Sequence, residues 1–198
     1  MKRTAMVVMV AVVGVMLTTS CFAVNRSWQI DQGHTGFYFT VDHIFSKVRG
    51  HFGEFTGKIK FDPANLEESS MQFVIQTKSI DTNLPKRDKH LQSEDFFDAA
   101  NYPEMTFTSE SITLVEGSTY AVKGTFTVKG KSYDLTLPLV FTGVRDHPMQ
   151  KDSEVAGFNG SLILDRLVYK VGDGKFFDYG VVGKDVDVLI TLEMLHKK

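Results

Sequence analysis

The sequence predicts an all-β fold of about eight antiparallel strands closed into an up-and-down barrel, with a short helical lid between two of them. Three observations predict it. Hydrophobic residues alternate with polar ones at period two through most of the chain beyond His34. Short turns join most of these stretches, with no long amphipathic helix and no internal repeat. One long insertion, Ser79–Phe107, breaks the pattern. A connection of that length in a compact β domain is usually functional or a lid. At this strand number the interior is either filled by side chains or holds one ligand. A sandwich satisfies the same alternation, because sequence alone does not show closure.

The elements follow in order. Lys2 and Arg3, the apolar run Ala5–Leu17 and the small residues Cys21 and Ala23 form an export leader, with the cut after Ala23. A lipoprotein signal acylated at Cys21 is the alternative, and the residues before Cys21 match it poorly. In His34–His43, Thr35, Phe37, Phe39, Val41 and His43 share a face, as in a half-buried strand. Ile44–Arg49 is mixed and reads as a turn or one helical turn. Gly50–Phe61 alternates again, with Phe55, Gly57, Ile59 and Phe61 aligned, and Asp62-Pro63-Ala64-Asn65 ends it. Met71–Thr77 is a strand with Phe73 on its apolar face.

Inside the insertion, Pro85 opens a short helix that Lys86–Leu91 continues, and Ser93-Glu94-Asp95 resembles a second cap. Met105 and Phe107 begin the next strand. Tyr120–Val128 follows, and Lys129-Gly130-Lys131 turns it tightly into Tyr133–Phe141. Pro138 on the outer face marks an edge or a bulge. Val144–Glu154 reads as a loop, Val155–Leu164 as a strand, Asp165–Gly183 as a second long irregular segment, and Lys184–Leu195 as the closing strand.

Length and composition bound the function. A chain of 198 residues makes one domain with a real core. Its 16 Phe against one Trp need a large core or an apolar pocket to face. Gly57 and Gly124 lie on inward faces and leave space there. The only thiol is Cys21, so the exported domain has no disulfide and is held by burial. Loss of Lys2 and Arg3 leaves it two charges more negative than the whole chain's −2. With no basic tract, nucleic acid is excluded as a partner.

The residues His34-Thr35-x-Phe37-x-Phe39-x-Val41-x-His43, Val48-Arg49-Gly50-x-Phe52 and Phe55-x-Gly57-x-Ile59-x-Phe61-Asp62 resemble the opening of the YceI-like family. Ser79-Ile80-Asp81-Thr82-Asn83, Arg87-Asp88-x-His90-Leu91, Asp95-Phe96-Phe97 and Tyr102-Pro103-x-Met105-x-Phe107 resemble its most distinctive run. Gly124-x-Phe126-x-Val128-x-Gly130 and Gly157-Phe158 continue it, and the likeness covers Trp28 to Leu195. It implies an exported bacterial protein with a lipocalin-like antiparallel barrel that binds long isoprenoid lipids, polyprenyl or quinone-like. The departure is late: Asp165-Arg166-Leu167-Val168-Tyr169 stands where the family often has Asn-Arg-x-Asp-Phe.

The candidate site is therefore an apolar interior lined by Phe37, Phe39, Phe55, Phe73, Phe107, Phe126, Phe141 and Phe158, each on the apolar face of its strand. The plainer reading of those rings is core filling. At the lid, Arg87, Asp88, His90, Phe96 and Phe97 clamp a head group, or Arg87 and Asp88 simply pin the lid down. His34 and His43 are nine residues apart on opposite faces, too scattered for a metal site. There is no Gly-x-Ser-x-Gly elbow, and His90 with Asp88 and Ser93 is the sole trio for hydrolysis. The reading is a periplasmic binding protein for an isoprenoid or other long-chain lipid, with no catalytic residue, metal or cofactor. Transient membrane contact and a homodimer stay open. The rivals are an enzyme modifying an isoprenoid or quinone through His90 and Asp88, and a solid barrel that works through its surface.

Overall fold

Alternation at period two places one side of every strand in a common interior, and the strands close around it. The computed structural model describes residues 26–198. The leader, its cut after Ala23 and the alternative at Cys21 lie outside the described residues. The strands are β1 Ser27–Ile30, β2 Gly36–His43, β3 Ser46–Phe52, β4 Phe55–Lys60, β5 Ser70–Gln76, β6 Ile80–Asp81, β7 Glu104–Glu116, β8 Thr119–Val128, β9 Lys131–Asp146, β10 Ser153–Asp165 and β11 Val182–Lys197. Two short helices interrupt them, α1 Pro85–Leu91 and α2 Lys175–Asp178.

These eleven segments form one sheet. β1 and β2 are two halves of a single stave, as are β3 with β4 and β5 with β6. Counted so, the sheet is an eight-stranded antiparallel meander. It closes because β11 pairs with β1 near its C-terminal end, Gln29 opposite Leu195, and with β2 further back, Phe39 opposite Val188.

Several boundaries differ from the sequence expectation. β1 is only four residues long, too short to show a period. Ile44–Arg49 is not a helical turn: Ile44 and Phe45 make a hairpin tip, and β3 pairs with β2, Val48 opposite Val41. Its alternation is hidden because Gly50, on the inner face, has no side chain. A Cβ there would come within 2.5 Å of Phe39 Cζ, so the Phe39 ring occupies that place. Gly57 and Gly124 likewise leave no void. A Cβ at Gly57 would meet Ile30 Cδ1 at 2.5 Å, and one at Gly124 the Thr108 carbonyl oxygen at 2.2 Å. No helix follows Ser93. Its hydroxyl instead donates to the His90 carbonyl at 2.7 Å and finishes α1.

The two ends of the barrel are filled differently. At the base, Phe61, Tyr120, Phe141 and Phe158 pack edge-on or tilted, with centroids from 4.8 Å for Phe61–Phe158 to 6.4 Å for Tyr120–Phe141. Trp28 plugs this end, its indole N–H donating to the Phe61 carbonyl at 3.0 Å. The other end, the mouth, carries the 43–46 hairpin, the lid insertion between β6 and β7, the tight turn at Lys129-Gly130 and the loop 166–181. Positive φ at Lys129 (49°) and Gly130 (67°) fits that two-residue turn to the strand twist.

Phe61→Ala should leave a hole in the packed base and lower unfolding stability by about 3–5 kcal/mol. Phe39→Ala, nearer the mouth beside unfilled space, should cost less. Chemical denaturation of both variants measures the difference, and equal losses would contradict a base packed more tightly than the mouth.

Candidate functional site: an apolar cavity beneath a lid

Above the packed base the inward side chains no longer fill the section. They leave a cavity of about 210 Å³ that reaches the mouth. Phe37, Phe39, Phe73, Phe107 and Phe126 are in its wall, as the sequence predicts for the lining. The lid contributes Phe96 and Phe97. Phe55, Phe141 and Phe158 are not in the wall. Phe55 packs against Phe37 at 5.1 Å, and Phe141 and Phe158 belong to the aromatic plug of the base. All eight rings face inward; Phe141 and Phe158 lie lower, in the plug, and Phe55, opposite Ile75, is shielded from the cavity by its packing on Phe37.

The lid buries Phe96 and Ala99, and its helix α1, which buries no residue, is fixed by hydrogen bonds. The buried Thr82 is the hub. Asp88 Oδ1 accepts from the Thr82 amide at 2.9 Å and from its hydroxyl. Arg87 donates from Nε to the Thr82 hydroxyl and from Nη2 to the Thr82 carbonyl, both at 2.7 Å. Arg87 and Asp88 therefore pin α1, whose N-terminus is set by Pro85, and neither is in the cavity wall. His90 lies outside the wall too. Its Nε2 is 3.0 Å from Asp95 Oδ2, and its ring stands edge-on to Phe96 and Phe176.

The loop 166–181 supplies a residue that the sequence reading did not single out. Arg166 is the one charged residue in the cavity wall among the described residues. It is 7% exposed, and its guanidinium donates to the carbonyls of Gly183 (2.8 Å), Val171 (2.9 Å) and Val182 (3.4 Å). Its Cζ lies 6.0 Å from the centroid of the Phe96 ring, which stacks on Phe176. No carboxylate among the described residues forms an ion pair with it. Burial pulls its pKa below that of an ordinary guanidinium, while the charges of Asp165 and Asp173 act the other way. An arginine still keeps its proton at that depth. Gly172, at φ 90°, makes the room: a Cβ there would lie 2.3 Å from Arg166 Nη1. The sequence signal was the Arg in Asp165-Arg166, inside the stretch that departs from the family pattern. Tyr169 completes this side, 4.9 Å from the Tyr133 ring, with its phenol pKa raised by burial and then by Tyr133.

The two strand-end histidines are far apart in role. His43 ends β2 at the mouth, whereas His34 lies near the base with Asp31 and Glu193. His34 Nδ1 is 2.9 Å from Asp31 Oδ2 and 3.6 Å from Glu193 Oε1, and these ion pairs account for the grouping.

This chain carries the YceI-like domain pattern over residues 28–194, most of its length. It belongs to the YceI-like family. A UPF0312 protein of Vibrio cholerae is 34% identical over 169 residues, 83% of this chain and 86% of that one. Among solved structures, BcnA of Burkholderia cenocepacia superposes with a TM-score of 0.73 at 27% identity, covering 83% of this chain and 98% of BcnA. A polyisoprenoid binding domain from Saccharophagus degradans, implicated in plant cell wall breakdown, gives a TM-score of 0.61 at 14% identity, covering 89% of this chain and all of that one. At that identity the likeness is one of fold. In this YceI-like chain the barrel carries a cavity at one end and a plug at the other.

Asp88→Ala should leave the Thr82 amide and hydroxyl without their acceptor, costing about 1–3 kcal/mol and exposing α1 amides to hydrogen exchange. Unchanged exchange in α1 would contradict its role as the pin. Hydrogen bonding to Asp31 first, then the charges of Asp31 and Glu193, raise the His34 pKa above 6.5. A raised folded-state value means that the pair's contribution is complete below the ordinary histidine pKa and is lost as pH rises through the raised one. In an NMR titration the His34 midpoint should lie above 6.5, and Asp31→Asn should bring it back.

Proposed function

We propose that this chain is an exported periplasmic carrier that holds one amphipathic lipid, a polyprenyl or quinone-like molecule. The tail lies among the rings of the upper barrel and the head beside Arg166. The observation that carries this reading is an apolar cavity, partly covered by its own lid, with a single buried cation in its wall. Pockets for such ligands are mostly apolar with a few placed polar groups. The isoprenoid class comes from the family resemblance, and export from Lys2, Arg3 and the apolar run Ala5–Leu17. A cargo that resides in membranes brings transient membrane contact with it, and the reading needs no second copy of the chain.

Carriage rather than turnover is supported by where the candidate acid and base sit. Asp88 is engaged by Thr82 and His90 by Asp95, and neither reaches the cavity. The head-group role expected of Arg87 passes to Arg166, because Arg166 is in the cavity wall and Arg87 is not.

Mass spectrometry of an organic extract of the protein, purified from its own cell envelope, should find a stoichiometric prenyl lipid. An empty extract, with no uptake on adding such lipids back, would overturn the carrier reading. Arg166→Met should weaken binding of farnesyl phosphate about tenfold or more and that of farnesol far less, as for loss of a charge-assisted hydrogen bond. Equal losses for both would remove Arg166 as the head-group contact.

A further inference from the structure

The cavity is too small for the tails proposed for it. At about 210 Å³ it is on the scale of the engineered protein cavity of roughly 150 Å³ that takes up benzene. Each methylene gains about 0.8 kcal/mol only if it leaves water, so a chain of many isoprene units cannot be stabilised along its whole length in this space. Extension toward the base is blocked by Phe61 and Phe158, both about 1% exposed and in mutual contact.

The wall has one long unpaired seam. β9 and β10 hydrogen-bond from Asp146 opposite Glu154 only as far as Leu139 opposite Gly160. Toward the mouth from there, β9 residues 131–138 pair with β8 alone and β10 residues 161–165 with β11 alone. The fork has a local cause. Pro138 has no N–H to offer a ladder. Gly160 lets the strands touch at the last rung, since a Cβ there would lie 2.7 Å from the Pro138 carbonyl oxygen. Above the fork, Leu135 and Leu137 face Leu162 and Leu164 across the seam, and all four are in the cavity wall. Three of them are partly exposed although their faces point inward. The Tyr133–Tyr169 pair stands at the upper end, where the Tyr133 hydroxyl is buried without a hydrogen-bond partner. Just outside, on the same flank, Ile163 is 67% and Leu189 47% exposed.

We propose that the β9–β10 seam is a lateral tail site. It passes the distal part of a long prenyl chain out of the cavity, between Pro138 and the tyrosine pair, onto the exposed side chains of Ile163 and Leu189. The inference rests on the carrier reading and adds the class of cargo, prenyl chains longer than the interior. Leucine side chains fill the gap without a ladder to break, so an emerging tail displaces packing rather than backbone hydrogen bonds.

The test uses geraniol, farnesol, geranylgeraniol and solanesol added to the delipidated mature protein. Affinity should rise along the short members and then level, with solanesol within about threefold of geranylgeraniol, because added units outside the cavity contribute little. In Ile163→Trp, solanesol should shift the emission of the added indole to the blue while farnesol leaves it unchanged, after subtraction of the parent's Trp28 signal. Leu162→Trp, which narrows the seam, should weaken solanesol about tenfold and farnesol by less than threefold. Binding of short prenols with rejection of solanesol would overturn the seam and leave the carrier reading standing. Solanesol bound without any change at Ile163→Trp would overturn the seam as well. Failure of every prenol to bind would overturn both.

Discussion

Closure is the constraint on which everything else in this barrel depends. Eight staves enclose an interior about as wide as the side chains that point into it. Every inward residue therefore competes for one shared volume, and the outcome differs with height. Where Phe61, Tyr120, Phe141 and Phe158 meet at one level, they fill the section and make a core. Nearer the mouth, where Phe39, Phe126 and the smaller Val186 and Val188 line the wall, they leave the section partly empty. A core and a container are thus built from the same residue type on the same strands.

The mouth follows a different rule. Its loops bury a few side chains, Phe96, Ala99 and Val171, and polar contacts hold the rest. Thr82 gathers Arg87 and Asp88 and fixes α1. Arg166 gathers three carbonyls and folds the loop 166–181 back on itself. The two loops meet through Phe96, which stacks on Phe176 and lies against the Arg166 guanidinium. A buried cation satisfied by carbonyls alone retains its charge and lacks a counter-ion. That sets Arg166 apart from the exposed lysines of the surface, whose pairs with carboxylates contribute little.

Much of this was legible beforehand. Alternation at period two reports which face a residue occupies, and it placed Phe37, Phe39, Phe73, Phe107 and Phe126 correctly in the wall. It carries no information about height along the axis, which is why Phe141 and Phe158 were grouped with them although they pack lower. Arg87 drew attention because it sits in a dense charge cluster. Yet a cluster rich in donors and acceptors can satisfy itself locally, and this one does. Arg166 stood in the stretch that departs from the family pattern, where nothing local marked it as buried, and its depth depends on the chain folding back at Gly172 and Gly183.

By itself the sequence determined the all-β class, the number of staves, the short lid helix after Pro85 and the inward faces, because these follow from local propensity and a period that each strand carries alone. Only the tertiary structure decided which rings plug the base, which cation reaches the cavity and where β9 leaves β10. Those properties belong to the shared interior of a closed sheet. They depend on the register and tilt of strands far apart in sequence, and no single segment encodes either.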